Sequence, residues 1–126
     1  MTLEGPAHPQ YRRKLTNRRG SQTLEFSVMN HDYTATIGYY PDGTIGDVFV
    51  RAGKAGSHSS ILLLEASIAL SMAFQYGASA SALLKSMPHT GEIGSSALGE
   101  PEGPIGTLLT ILAKEEAKET RERLDG

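Results

Sequence analysis

The chain has 126 residues, of which 39% are hydrophobic, 21% charged and 6% aromatic, with 12 Lys+Arg against 14 Asp+Glu and a formal net charge of -2. A chain of this size hides roughly two-thirds of its unfolded surface, enough for one core, and its charge balance gives no global pull toward nucleic acid or a membrane. Cysteine is absent, which excludes disulfides, thiolate metal sites and thiol chemistry and makes a reduced cytoplasm the expected compartment.

Residues 1–10, with Gly5, Pro6 and Pro9 and no periodic pattern, read as a mobile N-terminal arm without the apolar stretch of an export signal. Residues 11–19, YRRKLTNRR, carry five positive charges and no negative one. From Thr23 the period becomes two. Leu24, Phe26 and Val28 alternate with polar residues, and Tyr33, Ala35, Ile37 and Tyr39 do the same, so two strands are expected with a tight turn at Asn30-His31-Asp32. Tyr40-Pro41-Asp42-Gly43 is a second hairpin signal, with Pro pre-setting the turn and Gly taking the positive φ that follows it.

A third strand is expected over Ile45 to Arg51. Here Asp47 shares a face with Ile45 and Phe49 while Val48 and Val50 take the other. Either both faces are partly covered or Asp47 sits at a wet edge.

Gly53-Lys54-Ala55-Gly56 breaks this strand, and Ser57 or Ser59 caps a helix over about 60–76. That helix is apolar nearly all round and needs partners on more than one side. Its apolar stretch, Ile61 to Phe74, holds Glu65 and two serines in 14 residues, too short for a bilayer crossing of about 20. Gly77 ends it at a left-handed position, and a short helix from Ala80 to Ser86 follows, capped by Ser79 and stopped by Pro88.

Residues 88–104 form a Gly/Pro-rich crossover. A last helix starts near Pro104 with an Ile105, Leu108, Leu109, Leu112 stripe, and its 114–126 stretch is a polar helical tail. The order β-β-β-α-α-α implies an α+β fold, a three-stranded antiparallel meander with three helices packed on one face.

RRKLTNRR (12–19), IGYYPDGTIGDVFVRAGKAGS (37–57) and ASIALSMAFQYGASASALLKSM (66–87) together resemble the TSCPD domain. That module occurs near the C-terminus of adenosylcobalamin-dependent (class II) ribonucleotide reductases and as free-standing small proteins. The resemblance covers about 11–113. It marks Asp42 and Gly43 in the turn, and Gln75, Tyr76 and Gly77 at the helix end, as motif positions. The Thr-Ser-Cys-Pro-Asp string and the cysteine clusters of the large enzymes are missing. The family's chemistry needs a thiyl radical and a large barrel, so the resemblance implies a reductase-related module in bacterial or phage DNA synthesis rather than a self-sufficient reductase. Cobalamin is not expected to bind this chain.

The basic run Tyr11, Arg12, Arg13, Lys14, Arg18, Arg19 has two readings. It grips phosphates, with Tyr11 stacking on a base, or it is a strap whose arginines pair with Asp42, Asp47 or Glu25. Lys54, in a Gly-rich turn before a helix, is the second anion candidate, although the spacing is not that of a nucleotide loop. Glu65, charged within an apolar helix, is either paired with an N-terminal arginine or turned to an oligomer seam. The four histidines lack metal-ligand spacing, and no Ser-His-Asp set is positioned.

The leading expectation is a non-catalytic accessory module. Its basic segment would engage a nucleotide, a nucleic acid or an acidic partner, a reductase among the protein partners, and no membrane. The alternative is an interaction module that self-assembles, as a homo-oligomer, through its apolar and C-terminal helices.

Overall fold

A computed structural model describes residues 11–16, 20–52, 58–90 and 99–125. The expected arm at 1–10, Arg18, Arg19, Lys54 and the Ser57 cap lie outside the described residues. The elements are β1 (Ser21–Val28), β2 (His31–Tyr39), β3 (Ile45–Ala52), α1 (His58–Gln75), α2 (Ala80–Lys85) and α3 (Pro104–Asp125). Three antiparallel strands in the order β1-β2-β3 precede three helices, the α+β arrangement read from the pattern. By packing, the chain divides into two compact units, Met1–Ala78 and Ser79–Gly126.

In the first unit, alternation decides which side chains are buried. Ala35 faces Val50 and Ile37 faces Val48 across the β2–β3 ladder, and all four are 3% exposed or less. On the same face, Phe26 stands opposite Tyr33 with their rings 5.6 Å apart, a cross-strand aromatic pair of the kind that stabilises a sheet. The first hairpin turns one residue earlier than expected. Met29 and Asn30, both with positive φ, form the two-residue loop, and His31 already belongs to β2. Such loops match the strand twist when both central residues are left-handed, which Asn tolerates and Met does not advertise. The second turn is as read: Gly43 N–H donates to Tyr40 C=O at 2.9 Å and Gly43 has a φ of 89°. Three residues beyond, Gly46 is the extra residue of a bulge, since Gly38 pairs with Asp47 and Tyr39 with Ile45.

β3 is an edge strand, and α1 lies along it. Ser67 Oγ accepts from Val50 N–H at 3.0 Å. Ser71 Oγ accepts from Val48 N–H and donates to Val48 C=O, both at 2.9 Å. Gln75 Nε2 donates to Gly46 C=O at 2.9 Å. Four residues of helix rise about 6 Å and two residues of strand about 6.6 Å, so a polar stripe at i, i+4, i+8 stays in step with alternate strand residues. The helix thereby satisfies backbone groups that a bare edge would present to any passing strand. Leu63, Leu70 and Phe74 of α1 are buried, whereas Ile61, Leu62, Leu64 and Ile68 stand half exposed. The helix ends as expected, with Gly77 at a φ of 100° and Ala78 N–H donating to Ala73 C=O, the left-handed C-cap pattern.

In the second unit α2 packs against α3. Ser79 caps α2 by accepting from Ala82 N–H at 3.1 Å, and the Glu116 carboxylate of α3 accepts from Ala80 N–H at 3.0 Å. Leu108, Leu109 and Leu112 are buried, as the stripe predicted, and the polar 114–125 stretch continues as helix.

Candidate functional site

The basic segment meets the body of the first unit at the β2–β3 turn and the end of α1. Arg13 N–H donates to the Gln75 carbonyl at 2.8 Å, which ties the strap to the helix terminus. The Arg13 guanidinium lies 3.8 Å above the centre of the Tyr40 ring, donates to Thr44 Oγ1 at 3.1 Å and pairs with Asp42 at 3.0 Å. Tyr40 returns the contact through its hydroxyl, which donates to Arg13 C=O at 2.8 Å. Beside it, Arg12 Nε donates to Gln75 Oε1. Leu15 closes the strap over Gly46: a Cβ there would come 2.5 Å from Leu15 Cδ1 and 3.3 Å from the Tyr40 ring. Gly46 is thus a position where strap and strand approach too closely for a side chain to fit without displacement.

The electrostatics follow from these contacts. Asp42 accepts from the hydroxyl and the backbone N–H of Thr44 at 2.6 and 2.9 Å. These bonds, more than the Arg13 charge, hold its carboxyl at about 2. Burial pushes the Tyr40 hydroxyl above its ordinary value, with Arg13 and then Arg12 acting in the opposite direction.

Over residues 12–15 the strap borders a cavity of about 680 Å³. Its walls come from three elements of one unit: Arg12, Arg13, Lys14 and Leu15 of the strap; Asp47 and Phe49 of β3; and Ile68, Ser71, Met72 and Gln75 of α1. Asp47 and Phe49 project from the face of β3 opposite to Val48 and Val50, because successive side chains alternate. Asp47 is only 7% exposed. Both faces of β3 are therefore covered at this position, the first of the two alternatives the sequence left open.

The expected binding residues divide accordingly. Arg12, Arg13 and Lys14 are brought together at the cavity; Arg13 also serves as an anchor whose charge is met by Asp42, the strap reading. Tyr11 precedes them, 80% exposed. Glu65 is exposed on α1, and the two described arginines of the strap engage Gln75, Thr44 and Asp42; a pairing of Glu65 with Arg18 or Arg19 lies outside the described residues. Tyr76 is exposed, and Gln75, the last residue of α1 as the expected helix stop, also links strap, helix and strand. Ser67 and Ser71 went unread as functional positions, although their spacing with Gln75 was the available signal. Among the described residues no group of three or more His, Cys, Asp or Glu side chains is placed to hold a metal ion, and none of the described helices is long and apolar enough to cross a membrane.

Comparison with known proteins places these residues in context. The family model of the TSCPD domain matches residues 7–114. A vitamin B12-dependent ribonucleotide reductase of Rhodopirellula baltica is 33% identical over 89 residues, 71% of this chain and 9% of that protein. Another of the same description, from Agrobacterium fabrum, is 35% identical over 66 residues, 52% of this chain and 5% of that protein. The chain thus corresponds to less than a tenth of the length of these relatives. No solved structure is significantly similar to it.

Proposed function

Because the chain belongs to the TSCPD domain family, we propose that it is a reductase-related accessory module that binds an anion, and that the cavity beside Arg12 and Lys14 is where it does so. The carrying observation is the convergence of the strap cations on one concavity of about 680 Å³. Lys14 makes no hydrogen bond or ion pair among the described residues, and Arg12 is oriented by Gln75 through Nε, so at the cavity wall one cation is held by its neighbour and the other is uncommitted. A guanidinium carries further N–H donors beyond Nε, suited to phosphate or carboxylate oxygens. The walls offer donors, an apolar surface and one carboxylate, which is a set for holding rather than transforming. Absence of cysteine from the chain agrees with a role beside a reductase in nucleotide metabolism and not as one.

Thermal unfolding with inorganic diphosphate tests this reading. The midpoint should rise with diphosphate, by the equivalent of about 2.7 kcal/mol at 100 times Kd. The rise should shrink as ionic strength increases, since exposed charges are screened, and vanish in the Arg12→Ala/Lys14→Ala double variant. A midpoint indifferent to diphosphate at low salt overturns it.

A second reading, self-association, is favoured by a separate observation. Ile61, Leu62, Leu64 and Ile68 are 50–54% exposed along α1, an apolar surface of the kind that marks contact sites. Light scattering across a concentration series distinguishes a monomer from an assembly.

A further inference from the structure

We propose that the occupant of this cavity is a nucleoside phosphate, its phosphates on Arg12 and Lys14 and its base against Phe49 and Met72. The inference rests on the anion reading above and narrows it to one ligand class. Three chemically different walls meet in the same concavity. The strap supplies Arg12 and Lys14. β3 and α1 supply Phe49, Ile68 and Met72, which remain 37%, 50% and 38% exposed although each lines a pocket. β3 also supplies the Asp47 carboxylate, near the cationic wall and almost wholly buried.

Simple anions use the first wall alone and leave the apolar one wet. An acidic peptide brings anionic oxygens to the cations but no flat ring for the apolar wall. A nucleoside phosphate answers the first two at once: anionic oxygens for the cations and a flat base for the aromatic ring and thioether. The volume falls within the roughly 300–1,000 Å³ of small-molecule sites. Phe49 lies on the strand face away from the Ile37/Val48 core, so it can be truncated without opening that core.

Titration calorimetry of the full chain with ADP, GDP, CDP, UDP, inorganic diphosphate and a hexaglutamate peptide separates the outcomes. At least one nucleoside diphosphate should bind roughly tenfold more tightly than diphosphate, the order of gain that a stacked base brings. Phe49→Ala should abolish that margin while leaving diphosphate affinity unchanged, and Met72→Ala provides the same comparison should Phe49→Ala not fold. If diphosphate binds and no nucleoside diphosphate exceeds it, the anion reading stands and the nucleoside inference falls. A margin that survives both substitutions overturns the placement of the base. Hexaglutamate binding more tightly than every nucleotide overturns the inference in favour of an acidic peptide. If nothing binds, the anion reading fails and takes the inference with it.

Discussion

Arg13 shows how a charge in a basic run can be committed to architecture. Its guanidinium covers the Tyr40 ring and meets Asp42, so the strap and the turn hold each other. Asp42 has its carboxyl lowered to about 2 from 3.8. A depressed acid contributes stability above its unfolded value, and that contribution disappears as pH falls through the folded one. Asp42→Asn should therefore be less stable than the parent at neutral pH, with the difference closing between about pH 4 and pH 2; chemical unfolding at stepped pH reads this directly. A difference that stays constant over that range would dissociate the turn from Asp42 ionisation. Gly46 makes the companion prediction. Gly46→Ala forces the Leu15 tip aside and presses on Tyr40, an overpacking that should cost about 1 kcal/mol in a denaturant titration. Backbone exchange at Arg13, whose N–H is held by the Gln75 carbonyl, should quicken in the same variant.

At the scale of elements, the α1–β3 seam depends on hydroxyls where a sheet–helix contact ordinarily depends on methyls. Ser71→Ala leaves both polar groups of buried Val48 without the partner they have now. It should cost about 1–3 kcal/mol, more than Ser67→Ala, which affects one N–H of Val50. Ser59→Ala, at an exposed position of the same helix, should stay within about 0.5 kcal/mol. In the second unit, Glu116→Ala removes the carboxylate that α3 offers to the start of α2 and should lower stability by about 1 kcal/mol, as loss of a cap does. Strands and helices were legible in the sequence because their signals are local: alternation, the Pro41-Asp42-Gly43 turn, Ser79, Gly77 and Pro104 each act within a few residues. The basic run was legible as charge. Its partners were not, since Arg12 and Arg13 reach side chains 63 and 31 positions away, and no local pattern encodes that distance. Ser67 and Ser71 were readable only as polar interruptions of an apolar helix; that they face a strand edge is a property of the fold.

Taken as a whole molecule, the chain matches the domain over residues 7–114 while corresponding to 9% of a reductase relative. Without cysteine it should show no reduction of ribonucleotides on its own when supplied with a cobalamin cofactor and a dithiol, and a product assay by chromatography checks this. Turnover by the purified chain would demand a chemistry outside sulfur and overturn the accessory reading. The serine-lined seam also has a consequence for assembly. With the outward amides of Val48 and Val50 and the carbonyls of Gly46 and Val48 already engaged, β3 cannot template lateral growth there, so fibril-like stacking through this rim is blocked while α1 stays docked. Any β-ribbon joining the molecule from outside must approach along β1, and a Ser67/Ser71 double alanine variant, by unzipping the guarded rim, would be the form of this protein most prone to polymerise.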